Sequence, residues 1–265
     1  MLSLLLIYLC VGAFAGLVAG LFGIGGGLII VPVLVFCFEG LAVDAGVQMP
    51  LAIGTSLATI VVTSISSVRA HHARGNVDWG LVRWMAPGLV VGVYLGVQTV
   101  AILPAEFLKA MFGGFALLIA LQMGLAWQPK PEREPPAEAG RLLGGGLIGY
   151  CSALFGIGGG SLTVPWLAWC NVRMQVAVAS AAACGFPIAL SGMLSNMWVG
   201  YGHPLLPDWS LGFVYLPALA GIVLTSTPMA KVGANLAHQL PAKQLKRGFA
   251  IFMALIGLLF IFGGV

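Results

Sequence analysis

The residues best placed to do chemistry in this chain are glycines. Residues 20–34 read GLFGIGGGLIIVPVL and residues 153–167 read ALFGIGGGSLTVPWL, identical at ten of fifteen positions with a constant offset of 133. Apolar segments that match by chance seldom keep four glycines and a proline in register. Glycine is costly inside a helix because it has the most backbone freedom to lose. The runs Gly23, Gly25, Gly26, Gly27 and Gly156, Gly158, Gly159, Gly160 should therefore unwind the helix locally. The amide N–H groups at the start of the next helix are then left without carbonyl partners, and such a terminus attracts anions. Gly25, Gly26 and Gly27 in the first copy, and Gly158, Gly159, Gly160 and Ser161 in the second, are the candidate binding residues, with Thr163 two positions on. The competing reading is close packing, since small residues let membrane helices approach. Gly12, Gly16, Gly92 and Gly96 fit that role.

Thr55, Ser56 and Ser180 join the candidates because each lies near the start of the long apolar segment after its glycine motif. Other hydroxyls in these segments, such as Thr59, Thr63, Ser64 and Ser191, are expected to bond their own helix carbonyls. Catalytic chemistry lacks its parts. Ser161 follows glycines as a nucleophile can, but a nucleophile needs a base within hydrogen-bond reach, and no His or Lys lies at membrane depth. Every Asp, Glu, Lys and Arg sits in a loop or near a segment end, and His71, His72, His203 and His238 sit in loops. No carboxylate marks a proton pathway or a cation filter. The five cysteines form no CxxC pair and read as small buried hydrophobes.

The elements that position these glycines are membrane helices. Hydrophobic residues make up 60% of the 265 positions and charged residues 8%, against about a quarter charged in a soluble domain. The net charge of +4 comes from scattered loop residues, not a basic stripe, so nucleic acid is excluded as a partner and the lipid bilayer is the solvent. Apolar runs fall at about 1–19, 28–38, 47–68, 79–100 and 106–126, then at 141–155, 161–170, 174–198, 209–230 and 243–264. The first run ends in a signal-like Ala13-Phe14-Ala15, but no basic residue precedes it and its counterpart recurs in mid-chain, so it reads as structure. The division is a first membrane repeat at 1–126, a charged Pro-rich cytoplasmic linker at 127–142 and a second repeat at 143–265. Weaker echoes support the repeat. Asp78-Trp79 returns as Asp208-Trp209, and Phe112 returns as Phe249.

Merging each split pair gives an all-α fold of about eight transmembrane segments. The loop charges favour a variant of it. Arg69, Arg74 and Arg83 flank one loop of the first half, whereas the basic residues of the second half, Lys231, Lys243, Lys246 and Arg247, come one loop later. That swap fits inverted halves under the positive-inside rule, each with three long helices and a glycine-broken re-entrant hairpin at its start.

The duplicated LFGIGGG-hydrophobic-VP motif, the charged linker and the closing LPAKQLKRGFA stretch resemble the sulfite exporter TauE/SafE family (TSUP-type) of membrane permeases. The resemblance spans essentially the whole chain. It implies about eight transmembrane segments in the cytoplasmic (inner) membrane, no cofactor, and export or uptake of small sulfur-containing anions such as sulfite, organosulfonates or thiosulfate. It maps the family's glycine motif onto Gly23 to Gly27 and Gly156 to Gly160, and leaves room for a homodimer. One departure is that Thr55-Ser56 is matched by Ser180-Ala181, which points to unequal half-sites. Two other readings stay open: a carrier of another small organic anion, and a membrane scaffold whose glycines serve packing alone.

Overall fold

A computed structural model describes residues 2–22, 26–125, 137–237 and 242–263. Among them the first half forms α1 (Leu2–Phe22), α2 (Gly27–Gly40), α3 (Ala45–Ala73), α4 (Trp79–Ile102) and α5 (Ala105–Gly124). The second half forms α6 (Glu138–Phe155), α7 (Gly160–Trp169), α8 (Met174–Val199), a small hairpin of β1 (Ser210–Leu211) and β2 (Val214–Tyr215), then α9 (Leu216–Ala237) and α10 (Ala242–Phe262). Among the described residues four helices, α3, α4, α5 and α8, are long and apolar enough to cross a membrane. Leu118, Leu143, Leu147, Leu224 and Ile251 point outward, as side chains dissolved in lipid would. Gly25 and His238 lie outside the described residues, as does most of the expected linker. The last residues of that linker are helical, because α6 already begins at Glu138.

Local chemistry sets the helix ends. Asp44 caps α3 by accepting from Gly46 N at 2.8 Å, and Asp78 caps α4 by accepting from Leu81 N at 3.1 Å. The short helices α2 and α7 end alike. Val43 N reaches back to Phe38 O, and Val172 N to Leu167 O, each at 3.0 Å. Ala42 (φ 53°) and Asn171 (φ 58°) take the left-handed conformation that this six-to-one closure needs.

One sequence expectation fails. The apolar run from 209 predicts the start of a helix, like its counterpart at Trp79, but 210–215 form the hairpin and α9 starts at Leu216. Trp209 (φ 69°) and Gly212 (φ 55°) are left-handed, which no helix start tolerates. The turn is tied down from outside: Phe213 N donates to Asn196 O at 3.0 Å and Tyr215 N to Thr55 Oγ1 at 2.9 Å. Tertiary bonds thus override the local echo. Trp198, Tyr201 and Trp209 around this hairpin are strongly exposed, as expected of aromatic side chains at a membrane interface.

The packing between halves is reciprocal. α1 lies along α9, where Gly12 faces Ile222 and Thr225, Gly16 faces Ser226, and Gly221 faces Tyr8. Their counterparts α6 and α4 repeat the arrangement, with Gly145 against Met85, Gly149 against Leu89 and Gly96 against Tyr150 and Ala153. In both seams residue numbers rise together, so the helices run parallel. The central pair runs antiparallel: Gly54 faces Asn196 and Gly192 faces Leu57, while Ser180 accepts from Asp78 N beyond the end of α3. α5 and α10 are antiparallel too, with Gly113 against Ile261 and Gly124 against Ala250. The register difference between Gly113 and Ala250, or Gly124 and Ile261, equals that between Phe112 and Phe249.

Candidate functional site

The two glycine motifs break the chain where expected and meet in the interior. In the second half α6 ends at Phe155. Gly156 turns left-handed (φ 62°), Ile157 N closes onto Ser152 O at 3.0 Å, and α7 restarts with Gly159 as its N-cap (φ −57°, ψ −20°). A side chain at Gly156 is barred twice, by its backbone angle and by Val31 Cγ2 and Ile53 Cα, which a Cβ would meet at 2.7 and 3.0 Å. In the first half α1 ends at Phe22 and α2 starts behind Gly26, whose angles (φ −65°, ψ −20°) nearly equal those of Gly159. No side chain caps either short helix. Among the described residues the Gly27 and Gly160 amides, the first of each helix, have no hydrogen-bond acceptor.

The breaks touch through Gly27. A Cβ there would collide with the Gly156 carbonyl and come within 2.8 Å of Ile157 Cα. Ile60 of α3 lies between them, its Cδ1 3.2 Å from a Cβ on Gly27 and its Cγ2 3.3 Å from one on Gly158. Ser56 joins this junction, donating from Oγ to Gly156 O at 2.8 Å in a fully buried bond. The other two hydroxyl candidates are engaged elsewhere. Thr55 Oγ1 holds the hairpin through Tyr215 N, and Ser180 Oγ holds the start of α4 through Asp78 N at 3.0 Å. Gly159 packs on α8, with Ala181 O and Gly185 N 3.0 and 3.2 Å from its Cβ position, and Ser161 is half-buried in the first turn of α7. The candidates therefore separate into Gly26, Gly27, Gly158, Gly159, Gly160, Ser56 and Ser161 at the breaks, and Thr55 and Ser180 away from them.

Because Thr55 supplies the acceptor for a buried amide, Thr55→Val should lower stability by about 1–3 kcal/mol, the cost of an orphaned buried donor. Thermal unfolding of purified protein in detergent measures this, and an unchanged midpoint would refute the assignment. Ser152, which the sequence did not point to, and Thr163, which stands two positions beyond Ser161, also stand out. Ser152 and Thr163 are fully buried, and neither hydroxyl has a hydrogen-bond partner. Their signal lay in the repeat itself, since the matching residues of the first half are Ala19 and Ile30. No group of three or more His, Cys, Asp or Glu able to hold a metal ion occurs among the described residues.

Comparison with known proteins decides the family. A family model described as sulfite exporter TauE/SafE matches residues 8–260. The chain belongs to the sulfite exporter TauE/SafE family. It is 39% identical over 259 residues to a probable membrane transporter protein of Haemophilus influenzae, covering 97% of this chain and 98% of that one. It is 28% identical over 265 residues to a probable membrane transporter protein of Methanocaldococcus jannaschii, covering 97% and 95%. A third relative, the probable membrane transporter protein YunE of Bacillus subtilis, is 29% identical over 285 residues, covering 98% of each. No solved structure matches the chain. As a TauE/SafE family member it is a multi-pass membrane transporter, and the two glycine breaks lie inside the region that defines the family.

Proposed function

We propose that the protein is a permease that exports small sulfur-containing anions of the sulfite, organosulfonate or thiosulfate class across the cytoplasmic membrane. It works without a cofactor and performs no covalent chemistry. The observation that carries this reading is the meeting of two helix starts, α2 and α7, with the same N-cap geometry and with first amides that find no acceptor among the described residues, in a fold poor in charge. Each terminus carries about half a positive charge from its aligned peptides. Irregular backbone at membrane depth is tolerated where protein or a water-filled cavity covers it, and paired broken helices are a recurrent way to hold ions in transporters. The two halves are inverted in this reading, which the antiparallel pairing of α3 with α8 and of α5 with α10 supports, and the breaks lie near the midplane.

With no buried carboxylate in the apolar runs, the membrane potential is the driving force. Moving one negative charge outward, inside negative, gains about 2.3 kcal/mol per 100 mV, roughly a fiftyfold concentration ratio. Proteoliposomes loaded with labelled sulfite should release it faster than empty-lipid controls, and release should steepen with an imposed inside-negative potential. Release that ignores the potential would overturn the coupling, and no release of any sulfur oxyanion would overturn the permease reading. The substrate class is tested by thermal shift of purified protein with sulfite, thiosulfate, sulfoacetate, sulfate and simple carboxylates. A true substrate at a hundred times its Kd adds about 2.7 kcal/mol. A shift with carboxylates alone would move the protein to another class of organic anion.

A further inference from the structure

We infer that the chain holds one anion, at the start of α7, with the hydroxyls of Thr163 and Ser152 as its side-chain donors, and that the start of α2 is an apolar counterpart which holds none. This deepens the permease reading and rests on it. The argument comes from a difference between two otherwise matching breaks. At the first, a Cβ on Gly26 would meet Ile30 Cδ1 at 2.9 Å and Ala19 Cβ at 4.0 Å, so residues 30 and 19 are the side chains that flank this N-cap. The residues at the same register in the second half are Thr163 and Ser152. The N-caps at that register, Gly26 and Gly159, have almost the same backbone angles, although Gly159 also packs on Ala181, Gly185 and Ile188 of α8. Side chains on a helix lean toward its N-terminus, as Ile30 does over Gly26, and Thr163 stands at the same step behind Gly159.

The two hydroxyls are fully buried yet donate to nothing. Thr163 could have bonded back onto its own helix, as Thr59 and Ser64 do onto Ser56 O and Val61 O, but it does not. A buried hydroxyl without a partner is costly, and two of them at the register of an N-cap whose first amide finds no acceptor among the described residues form a set of donors awaiting an acceptor. There is also room. Position 185 on α8 corresponds to Ile60 of α3, yet it is a glycine where an added Cβ would meet only Gly159 N, at 3.7 Å. Ile60 itself fills the space beside Gly27 and reaches Gly158 with Cγ2, so the side of the second break that stays open is the one facing Gly185. The second niche thus offers backbone N–H and two O–H donors and no acidic group, which selects a compact oxyanion with several acceptor oxygens. The first offers apolar side chains to the same positions.

Calorimetric titration of the purified protein with sodium sulfite tests this. One sulfite per chain is expected, and two per chain would overturn the inference. Thr163→Val should weaken binding roughly 10- to 100-fold, as expected for one hydrogen bond to a charged group, while Thr163→Ser stays within about threefold of wild type and Ile30→Val leaves affinity unchanged. The valine variant without sulfite should unfold at or above the wild-type temperature, because it replaces an unpartnered hydroxyl with a methyl. A lower unfolding temperature would show that the hydroxyl serves the fold and would overturn the assignment. Wild-type binding that Thr163→Val and Ser152→Ala both leave intact would sink this site while the permease reading stands. Absence of sulfite and thiosulfate binding by the wild type would sink both.

Discussion

Gly27→Leu is expected to yield no folded protein from the membrane, whereas Gly26→Ala is recovered as a monodisperse species. The adjacent glycines differ in what stands beside them. A Cβ on Gly27 falls onto the Gly156 carbonyl and Ile157 Cα, backbone atoms of the opposite half held by the left-handed Gly156 and by the buried Ser56 bond. Backbone fixed in this way cannot give, and overpacking a rigid core costs about 1–3 kcal/mol or more even for small additions. The extra three carbons of leucine have nowhere to go. A Cβ on Gly26 meets first the far end of the flexible Ile30 side chain, at 2.9 Å, which can rotate aside. Fluorescence size-exclusion profiles of detergent extracts, followed by thermal unfolding of whatever is recovered, separate the two outcomes. Equal recovery of both variants would show that the breaks do not interlock through Gly27.

The second large effect is expected at the seam between α4 and α6. Gly92→Leu should separate these helices and lower the unfolding temperature by more than any substitution of an outward-facing residue, a loss of about 3 kcal/mol or more. A Cβ at Gly92 collides with the Gly146 carbonyl and comes within 2.9 Å of Tyr150 N. The control lies directly opposite. A Cβ on Gly146 would meet only Gly88 O, at 3.8 Å, so Gly146→Ala should leave the unfolding temperature within a degree or two of wild type or raise it, because alanine is the better helix former. If Gly92→Leu proved as stable as Gly146→Ala, the close approach of α4 and α6 would be refuted. The reciprocal seam makes the same demand at Gly12 and Gly16, where Ile222 and Ser226 backbone atoms lie within 2.6 Å of the added carbon.

Most of the helices were legible because their signal is local. Long apolar runs separated by charged or proline-rich loops can satisfy their backbone in lipid only as helices, and the runs read from composition match α1 to α8 and α10 to within a few residues. The motif breaks were equally legible at Gly26 and Gly159, since clustered glycines weaken a helix wherever they occur. The hairpin at 210–215 was not. Its sequence repeats the Asp-Trp pair that starts α4, and what turns it into strands is Thr55, 160 residues from its partner Tyr215, together with Asn196 near the end of α8. Thr55, Ser56 and Ser180 show the same limit. Their positions near the glycine motifs were readable, but which of the three bonds to a break, to the hairpin or to the start of α4 depends on partners 100, 160 and 102 residues away for Ser56, Thr55 and Ser180.

By itself the sequence determined that this is a membrane protein of two related halves, that each half is interrupted at its glycine motif, and that every carboxylate and lysine falls in a loop or near a segment end. These follow from composition and repetition, which need no knowledge of what touches what. Only the tertiary structure decided that Gly27 and Gly156 interlock while Gly26 and Gly159 keep uncapped helix starts, and that the hydroxyls of Ser152 and Thr163 are buried without partners where the first half has methyl groups. The reason is physical: a glycine or a threonine has the same intrinsic propensities wherever it occurs, but whether it packs, bonds or awaits a ligand is set by the atoms that the opposite half brings to within 4 Å of it.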